Sequence, residues 1–421
     1  MHILILPSEE FLPEHSPTSG IFQYQQASIL AKTGNKIGII SISQSFTIYL
    51  LVKYILLGLV GKKGEGNYNN SIFTLSRILL YKLFYPKKYL RTEILDEIPV
   101  YRINGFYYTE PTESNMAFSW VKAGLTAYKQ YIKQNGTPDI IHAHNAVYAG
   151  ILANRIKEKY GVKYIITEHS SDMFNDRIQD QKLQQHIRAA YSHADGLNAV
   201  SEQFAEHLNN KYSGLHFDVL HNVLDPYLLS KATLKEQRPV DAFQFIIIAQ
   251  LKPIKNHIAL IDAFEILTAQ HANAVLQIGG DGELEETLKS YVENKKSVKD
   301  KISFLGYLNR DTVIDHLSKA DCLVLTSHSE TFGVVVIEAM LFGKPVVVTK
   351  CGGPENIVHD EVGEVCENTP SAIAAAMLRI IVNYNNYKPA GIRKYAIDNF
   401  GDKTFLNNVN KLYNKALRNA A

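Results

Sequence analysis

Residues Ser329-Glu330-Thr331-Phe332-Gly333-Val334-Val335-Val336-Ile337-Glu338-Ala339-Met340 decide how the rest of the chain is read. They follow Cys322-Leu323-Val324-Leu325, a short apolar run of the kind that forms a strand buried on both faces. The stretch predicts a helix from Phe332 to Phe342, with Gly333 in its first turn and Ser329 or Thr331 as the cap. A helix start carries N–H groups without intrahelical partners and the positive end of the dipole, so it favours an anion such as a diphosphate. Gly333 removes a side chain that would hinder close approach. Glu338, at about 100° per residue, falls on the face that Val334 and Val335 also approach. A carboxylate there is expensive to bury alone, and it can accept two hydrogen bonds from a vicinal diol such as a ribose. Glu330, in the loop before the helix, is a candidate acceptor or electrostatic group. The competing reading pairs both glutamates with lysines across the helix surface; their placement after a strand and around a glycine-bearing helix start argues against it.

Outward from this stretch, strands and helices alternate. Strands are predicted at Phe243–Ala249, Ala274–Ile278, Ile302–Phe304, Asp321–Leu325 and Pro345–Thr349, with helices at Asn256–Gln270, Leu284–Asn294 and Asp311–Lys319 between them. The first half repeats this grammar from His2–Leu6 and Lys36–Ile42 through Asp139–His142, Lys163–Thr167 and Gly196–Val200. The alternation predicts α/β architecture: two doubly wound parallel sheets, with ligands at the carboxyl ends of their strands in a cleft. The expected division is 1–224, 225–400 and a final helix in 401–421, joined by the polar, proline-flanked segment Asp225–Pro239. A chain of 421 residues is long enough for two or three domains. A net charge of +2 gives no global nucleic-acid signal, so no nucleic-acid partner is expected. Three cysteines, Cys322, Cys351 and Cys366, have neither metal spacing nor the even count of a disulfide framework. Met1–Pro7 has no basic leader and too short an apolar run for a signal peptide, so a cytoplasmic protein is expected.

One region departs from the pattern. Phe46–Val60 is apolar apart from Lys53, and Lys62–Arg91 sets seven basic residues among six aromatics against Glu65 alone. It is too short to span a bilayer, which takes about 20 apolar residues. Phe46 to Arg91 reads either as a peripheral element on the inner membrane surface or as an insertion folded onto the first domain with a solvated basic face.

Lys255 follows a strand and the loop Gln250-Leu251-Lys252-Pro253-Ile254, where a cation can neutralise phosphate. Gly279-Gly280-Asp281-Gly282 lacks the third glycine of a dinucleotide fingerprint, because Glu285 occupies that place, and reads as a tight turn. His142, His144 and His169 end two strands of the first half and predict a cleft lined with imidazoles. No zinc spacing or magnesium-type aspartate pair occurs, so a site without metal or other cofactor is expected.

With these residues in order the chain resembles the retaining nucleotide-sugar glycosyltransferases of family 4, which have the GT-B fold. The likeness covers nearly the whole sequence. It rests on Glu330 and Glu338, Gly343-Lys344-Pro345, Gly352-Gly353-Pro354-Glu355 and Val362-Gly363 in the second half. In the first half it rests on Pro17-Thr18-Ser19-Gly20, Asp139 to His144, Glu168-His169 and Ala199-Val200-Ser201-Glu202. The resemblance implies that Glu338 holds the donor ribose and Glu330 contacts the donor sugar. It implies that Phe332, Gly333, Val334 and Val335 offer N–H groups to sugar and diphosphate, and that Lys255 balances the diphosphate charge. His169 would approach the transferred sugar and Gly20 the phosphates, while Tyr307 and Leu308 would lie near the base. The C-terminal helix would cross back to the first domain. Gln250 stands where the family often has arginine, so half of the cationic clamp is missing.

These implications describe transfer from a nucleotide-diphosphate sugar to a hydroxyl of a glycan or lipid-linked acceptor, with front-face departure of the diphosphate, in cell-envelope polysaccharide synthesis. The alternatives are a GT-B sugar-nucleotide epimerase, a non-catalytic nucleotide-sugar binder, and an NAD-dependent oxidoreductase, which the broken glycine fingerprint disfavours.

Overall fold

Uninterrupted aliphatic runs build two sheets. Ile3, Leu4, Ile5 and Leu6 of β1 (His2–Pro7) and Val346, Val347 and Val348 of β13 (Val346–Thr349) are fully buried, as strands covered on both faces must be. The structure is a computed structural model and describes residues 1–13, 19–47, 90–107, 112–234, 242–271 and 273–418. The first sheet adds β2 (Lys36–Thr47), β3 (Leu90–Leu95), β4 (Ile98–Tyr107), β5 (Ile140–His144), β6 (Lys163–Glu168), β7 (Gly196–Ala199) and β8 (Asp218–Val219). Its order is β3-β4-β2-β1-β5-β6-β7-β8. β1 pairs in parallel with β2 and β5, and β6 extends this on the far side of β5. β3 runs antiparallel to β4 across Asp96 and Glu97, whose φ values of 46° and 66° give the two-residue turn that matches strand twist. This edge hairpin was not predicted, because β3 has three polar residues in a row, Arg91-Thr92-Glu93, and presents neither a continuous apolar run nor a clean alternation.

The second sheet contains β9 (Phe243–Ile248), β10 (Ala274–Gly279), β11 (Ile302–Gly306), β12 (Cys322–Leu325), β13 and β14 (Gly363–Cys366) in the order β11-β10-β9-β12-β13-β14. Its described pairings are all parallel. Among the described residues helices join consecutive strands except across the β3–β4 hairpin, so both sheets are of the doubly wound α/β kind expected. β14 is short, with two half-buried residues, and gave no strand signal.

The chain divides into two compact units. The first contains Met1–Asn198, Asn209–Asp218 and Val409–Ala421, and the second Ala199–Leu208 and Val219–Asn408. The last helix, Asp402–Arg418, therefore contributes its second half to the first unit. There Val409, Tyr413 and Ala416 are buried, and Lys163 Nζ donates to the carbonyls of Ala416 and Leu417 at 2.9 and 2.8 Å. A cation on the last carbonyls of a helix satisfies acceptors that lack intrahelical donors.

At the start of the segment Asp225–Pro239, Asp225 is buried and caps a short helix, Pro226–Lys231, by accepting from Tyr227 N at 2.8 Å. Residues 235–241 lie outside the described set. Of the stretch Phe46–Arg91, Phe46 and Thr47 end β2 and Leu90 and Arg91 open β3, while residues 48–89 lie outside the described residues. Among the described residues no helix is long and apolar enough to cross a membrane.

Candidate active site

In the second unit, the loops that follow β9, β10, β12 and β13 leave the sheet at the carboxyl ends of parallel strands, where backbone groups run out of ladder partners. The loop after β9 carries Gln250 and Lys255. It is backed by the glycine turn after β10: Leu251 N donates to Asp281 O at 2.7 Å, and Leu284 N to Leu251 O at 3.0 Å. The Gly279–Gly282 turn thus supports the lysine loop through backbone bonds, in keeping with its reading as a turn.

The loop after β12 brings Glu330 to Lys255. Lys255 Nζ bonds Glu330 Oε1, and Ser327 Oγ donates to the same oxygen at 2.8 Å. The Glu330 backbone is clamped by the loop after β13, with its N–H on Cys351 O at 2.7 Å and its carbonyl accepting from Gly353 N at 2.9 Å. Neither residue is fully exposed: the two side chains keep 22% and 15% of their surface, so the pair is partly shielded from solvent screening.

The helix begins two residues later than predicted. It spans Val334–Leu341, and Gly333 is its N-cap at φ 85° and ψ 59°. A Cβ on Gly333 would lie 2.8 Å from Pro354 Cγ, so both the left-handed backbone and the packing demand glycine. No side chain caps this helix start, in contrast to the expected Ser329 or Thr331. Phe332 is non-helical and buried, packed edge-on against His221 and Phe400. Its ring is a core group, which leaves only its backbone for the binding role expected of it. Val334, Val335 and Glu338 share the half-buried face, while Val336, Ile337, Ala339 and Met340 face the core.

Glu338 has no hydrogen-bond or ion-pair partner among the described residues. Burial pushes its carboxyl up to about 8; nearby Asp225 adds to the shift and Arg310 opposes it. Arg310 is itself held by Asp225, with Nε donating to Oδ2 at 2.8 Å and Nη2 completing a bidentate pair. The guanidinium also lies 4.8 Å from the centre of the Tyr227 ring. An unpartnered carboxyl beside a guanidinium already committed to another acid has hydrogen-bonding capacity to spare for hydroxyl groups. Sequence reasoning missed Asp225, Arg310 and Ser327. The Asp225-Pro226 dipeptide, a cap followed by proline at the first helical position, was a usable signal for the first.

Gln250 is exposed, and its side chain makes no hydrogen bond among the described residues. Tyr307 is 52% exposed and Leu308 packs over Gly279, at the end of β11. The structure therefore brings together Lys255 and Glu330, places the helix start after Glu330 in the same loop, and sets Glu338 within that helix.

In the first unit the imidazoles do not line an open surface as expected. His142 and His144 are fully buried and stacked, with centroids 4.3 Å apart. His142 is used twice, at 2.9 Å from Tyr413 Oη and 2.8 Å from Thr167 Oγ1, and burial drives its pKa down to about 3. It is a neutral structural group tying the last helix to the sheet. His144 reaches His169 Nε2 at 3.0 Å through Nδ1, and His169 alone of the three keeps part of its surface. The neighbouring Glu168 is buried; its Oε1 accepts from Ala146 N at 2.5 Å and Tyr191 Oη at 2.7 Å, and burial raises its carboxyl to about 6. Gly20 caps the Ile21–Lys32 helix at φ 75° and packs on Phe11. Among the described residues no cluster of histidine, cysteine, aspartate or glutamate could hold a metal ion.

Comparison with known proteins gives the family and the fold. The model of the family Glycosyl transferases group 1 matches residues 231–398, and that of Glycosyltransferase Family 4 matches residues 93–227. N-acetyl-alpha-D-glucosaminyl L-malate synthase of Bacillus anthracis is 25% identical over 299 residues, covering 68% of this chain and 77% of that protein. TuaC of Bacillus subtilis, provisionally named a teichuronic acid biosynthesis glycosyltransferase, is 28% identical over 291 residues, covering 66% and 70%. Sucrose-phosphate synthase of Thermosynechococcus elongatus superimposes over 99% of both chains with a TM-score of 0.72 at 16% identity. Two α/β units of this kind define the GT-B fold. The chain belongs to the group 1, family 4 glycosyltransferases.

Proposed function

We propose that this glycosyltransferase is a retaining, metal-independent enzyme that moves a hexosyl group from a nucleotide-diphosphate sugar to a hydroxyl of a glycan or lipid-linked acceptor. The observation that carries the reading is the Lys255–Glu330 contact set just before the uncapped start of the Val334–Leu341 helix, with unpartnered Glu338 on that helix. A nucleoside diphosphate presents a ribose diol and a dianionic leaving group. Glu338 offers two acceptor oxygens to the diol. Lys255 and the N–H groups at the helix start offer positive potential to the diphosphate, and that interaction strengthens as the glycosidic bond breaks.

Glu330 already accepts from Lys255 and Ser327, and these two donors hold its carboxylate as a sugar-hydroxyl acceptor rather than a free nucleophile. This supports departure of the diphosphate and attack of the acceptor hydroxyl on the same face, through an oxocarbenium-like transition state. His169, the accessible member of the histidine group, is assigned to the transferred sugar. The relationship to TuaC supports a place in cell-envelope polysaccharide synthesis, and the basic, aromatic composition of Phe46–Arg91 supports an acceptor at an anionic membrane surface.

The test is a thermal-shift and turnover screen with UDP, GDP and ADP and their sugars, with and without EDTA, followed by Lys255→Ala. Loss of about a hundredfold or more in turnover is expected for Lys255→Ala, with anomeric configuration retained in the product and no effect of EDTA. Wild-type turnover in Lys255→Ala sinks the assignment. Nucleotide release accompanied by a free epimerised sugar points to an epimerase instead, and binding without turnover points to a sensor. Failure to bind anionic liposomes removes the membrane part alone.

A further inference from the structure

Asn368 lies far along the chain from Lys255 and Glu330, between β14 and the Pro370–Val382 helix. Its side-chain amide nevertheless touches both loops that supply them. Oδ1 accepts from Asn256 Nδ2 at 2.8 Å, and Nδ2 donates to Ser327 O at 3.0 Å and Thr326 O at 3.3 Å, with His328 Nδ1 at 3.2 Å. Asn256 directly follows Lys255 and adopts φ 52° and ψ 45°, a left-handed conformation that asparagine tolerates better than most side-chain residues. Ser327, on the other side, is the hydroxyl that bonds Glu330.

The two loops are further laced together. Thr326 Oγ1 reaches the carbonyls of Lys255 at 3.1 Å and Asn256 at 3.3 Å, and His328 N donates to Ile254 O at 2.8 Å. Thr349 Oγ1 fixes Ser327 O from β13 at 2.8 Å. Asn368 spans the seam from a third loop. An amide is the one side-chain type of this length that can accept from Asn256 and donate to two carbonyls at once.

We propose that Asn368 is a positioning residue of the transfer reaction: it fixes the Lys255–Asn256 turn against the Thr326–Glu330 loop, so that cation and carboxylate meet the donor in one geometry. This rests on the role given to Lys255 above. A displacement of about 1 Å in such a group is enough to cost about a hundredfold in rate. A residue that only stabilised the fold would lower the melting temperature and leave turnover per folded molecule unchanged.

The experiment measures kcat and KM for nucleoside diphosphate release from whichever of UDP-glucose, UDP-N-acetylglucosamine, GDP-mannose and ADP-glucose the wild type turns over. It is run below the unfolding transition on Asn368→Ala, Asn368→Asp, Lys255→Ala and the double variant. Asn368→Ala should lower kcat by about ten- to a hundredfold with a smaller change in KM. Asn368→Asp keeps the acceptor for Asn256 but loses the donor to Ser327, so it should fall in the same direction; it serves alone if the alanine variant does not fold. In the Lys255→Ala background the same substitution should have a much smaller effect, because the group it positions is gone. A kcat within about twofold of wild type for both Asn368 variants, or an undiminished loss on top of Lys255→Ala, overturns the inference. If Lys255→Ala is itself unimpaired, the proposed function falls with it; if Lys255→Ala is impaired and Asn368→Ala is not, only this inference falls.

Discussion

Replacing Glu338 with glutamine should stabilise the second unit at alkaline pH while weakening nucleotide binding. Burial and Asp225 hold this carboxyl at about 8, against an ordinary value of 4.5. Between those values the folded chain keeps a proton that the unfolded chain has released. The stability linked to Glu338 is therefore fully present below about pH 4.5 and is lost as pH rises through about 8. At about 1.4 kcal/mol per pKa unit the full loss is at most about 5 kcal/mol. The side chain keeps a partly exposed edge, where water screens the charge, and this brings the expected loss to about 2 kcal/mol. Glutamine has no proton to lose. The mutant-minus-wild-type difference should be near zero at about pH 4.5 and about 4–8 °C in melting temperature at about pH 8.5, for a unit of this size. Scanning calorimetry of both proteins at the two pH values reads it, since other titrating groups cancel in the difference. An equal shift at both pH values refutes the argument from burial. Titration calorimetry at about pH 8.5, where the carboxyl has lost its proton, should show affinity for the preferred nucleoside diphosphate weakened by about tenfold, because one amide oxygen replaces two carboxylate oxygens as acceptors for the diol. Unchanged affinity refutes the ribose assignment.

Further outcomes follow from the same geometry. Gly333→Ala should cost about 1–3 kcal/mol and impair nucleotide binding, since alanine at φ 85° is strained and its Cβ meets Pro354; chemical denaturation and titration calorimetry check the two parts. His257, buried with neither ring nitrogen hydrogen-bonded, is held neutral with its pKa lowered to about 4. Its stability is present above about pH 6.5 and lost as pH falls through about 4, so His257→Leu should gain about 2 kcal/mol at about pH 5 relative to about pH 8 in denaturant titrations. Gln250→Arg should tighten nucleoside diphosphate binding by about three- to tenfold at low salt, with the gain shrinking as salt rises; no change would show that this side chain does not reach the phosphates.

The alternation of aliphatic runs with helix-period segments determined the doubly wound architecture, because strands buried on both faces cannot be written with any other composition. The same holds for the strand, glycine and helix around Glu330 and Glu338, whose local order is set by short-range sterics. Some features were out of reach. β3 and β14 are edge strands that bury too little to leave a periodic mark. His142 and His144 look like chemistry in the sequence, yet the buried Tyr413, contributed from the far end of the chain, makes His142 a structural tie.

What the sequence settled by itself was therefore the class of fold; it also named the residues proposed to bind an anionic, diol-bearing ligand. Only the tertiary structure decided that Glu330 is paired with Lys255 while Glu338 is left without a partner among the described residues, and that Asp225, Arg310, Ser327 and Asn368 surround them. Those facts depend on hydrogen bonds between loops distant in the chain. Only the folded backbone brings these partners within bonding distance.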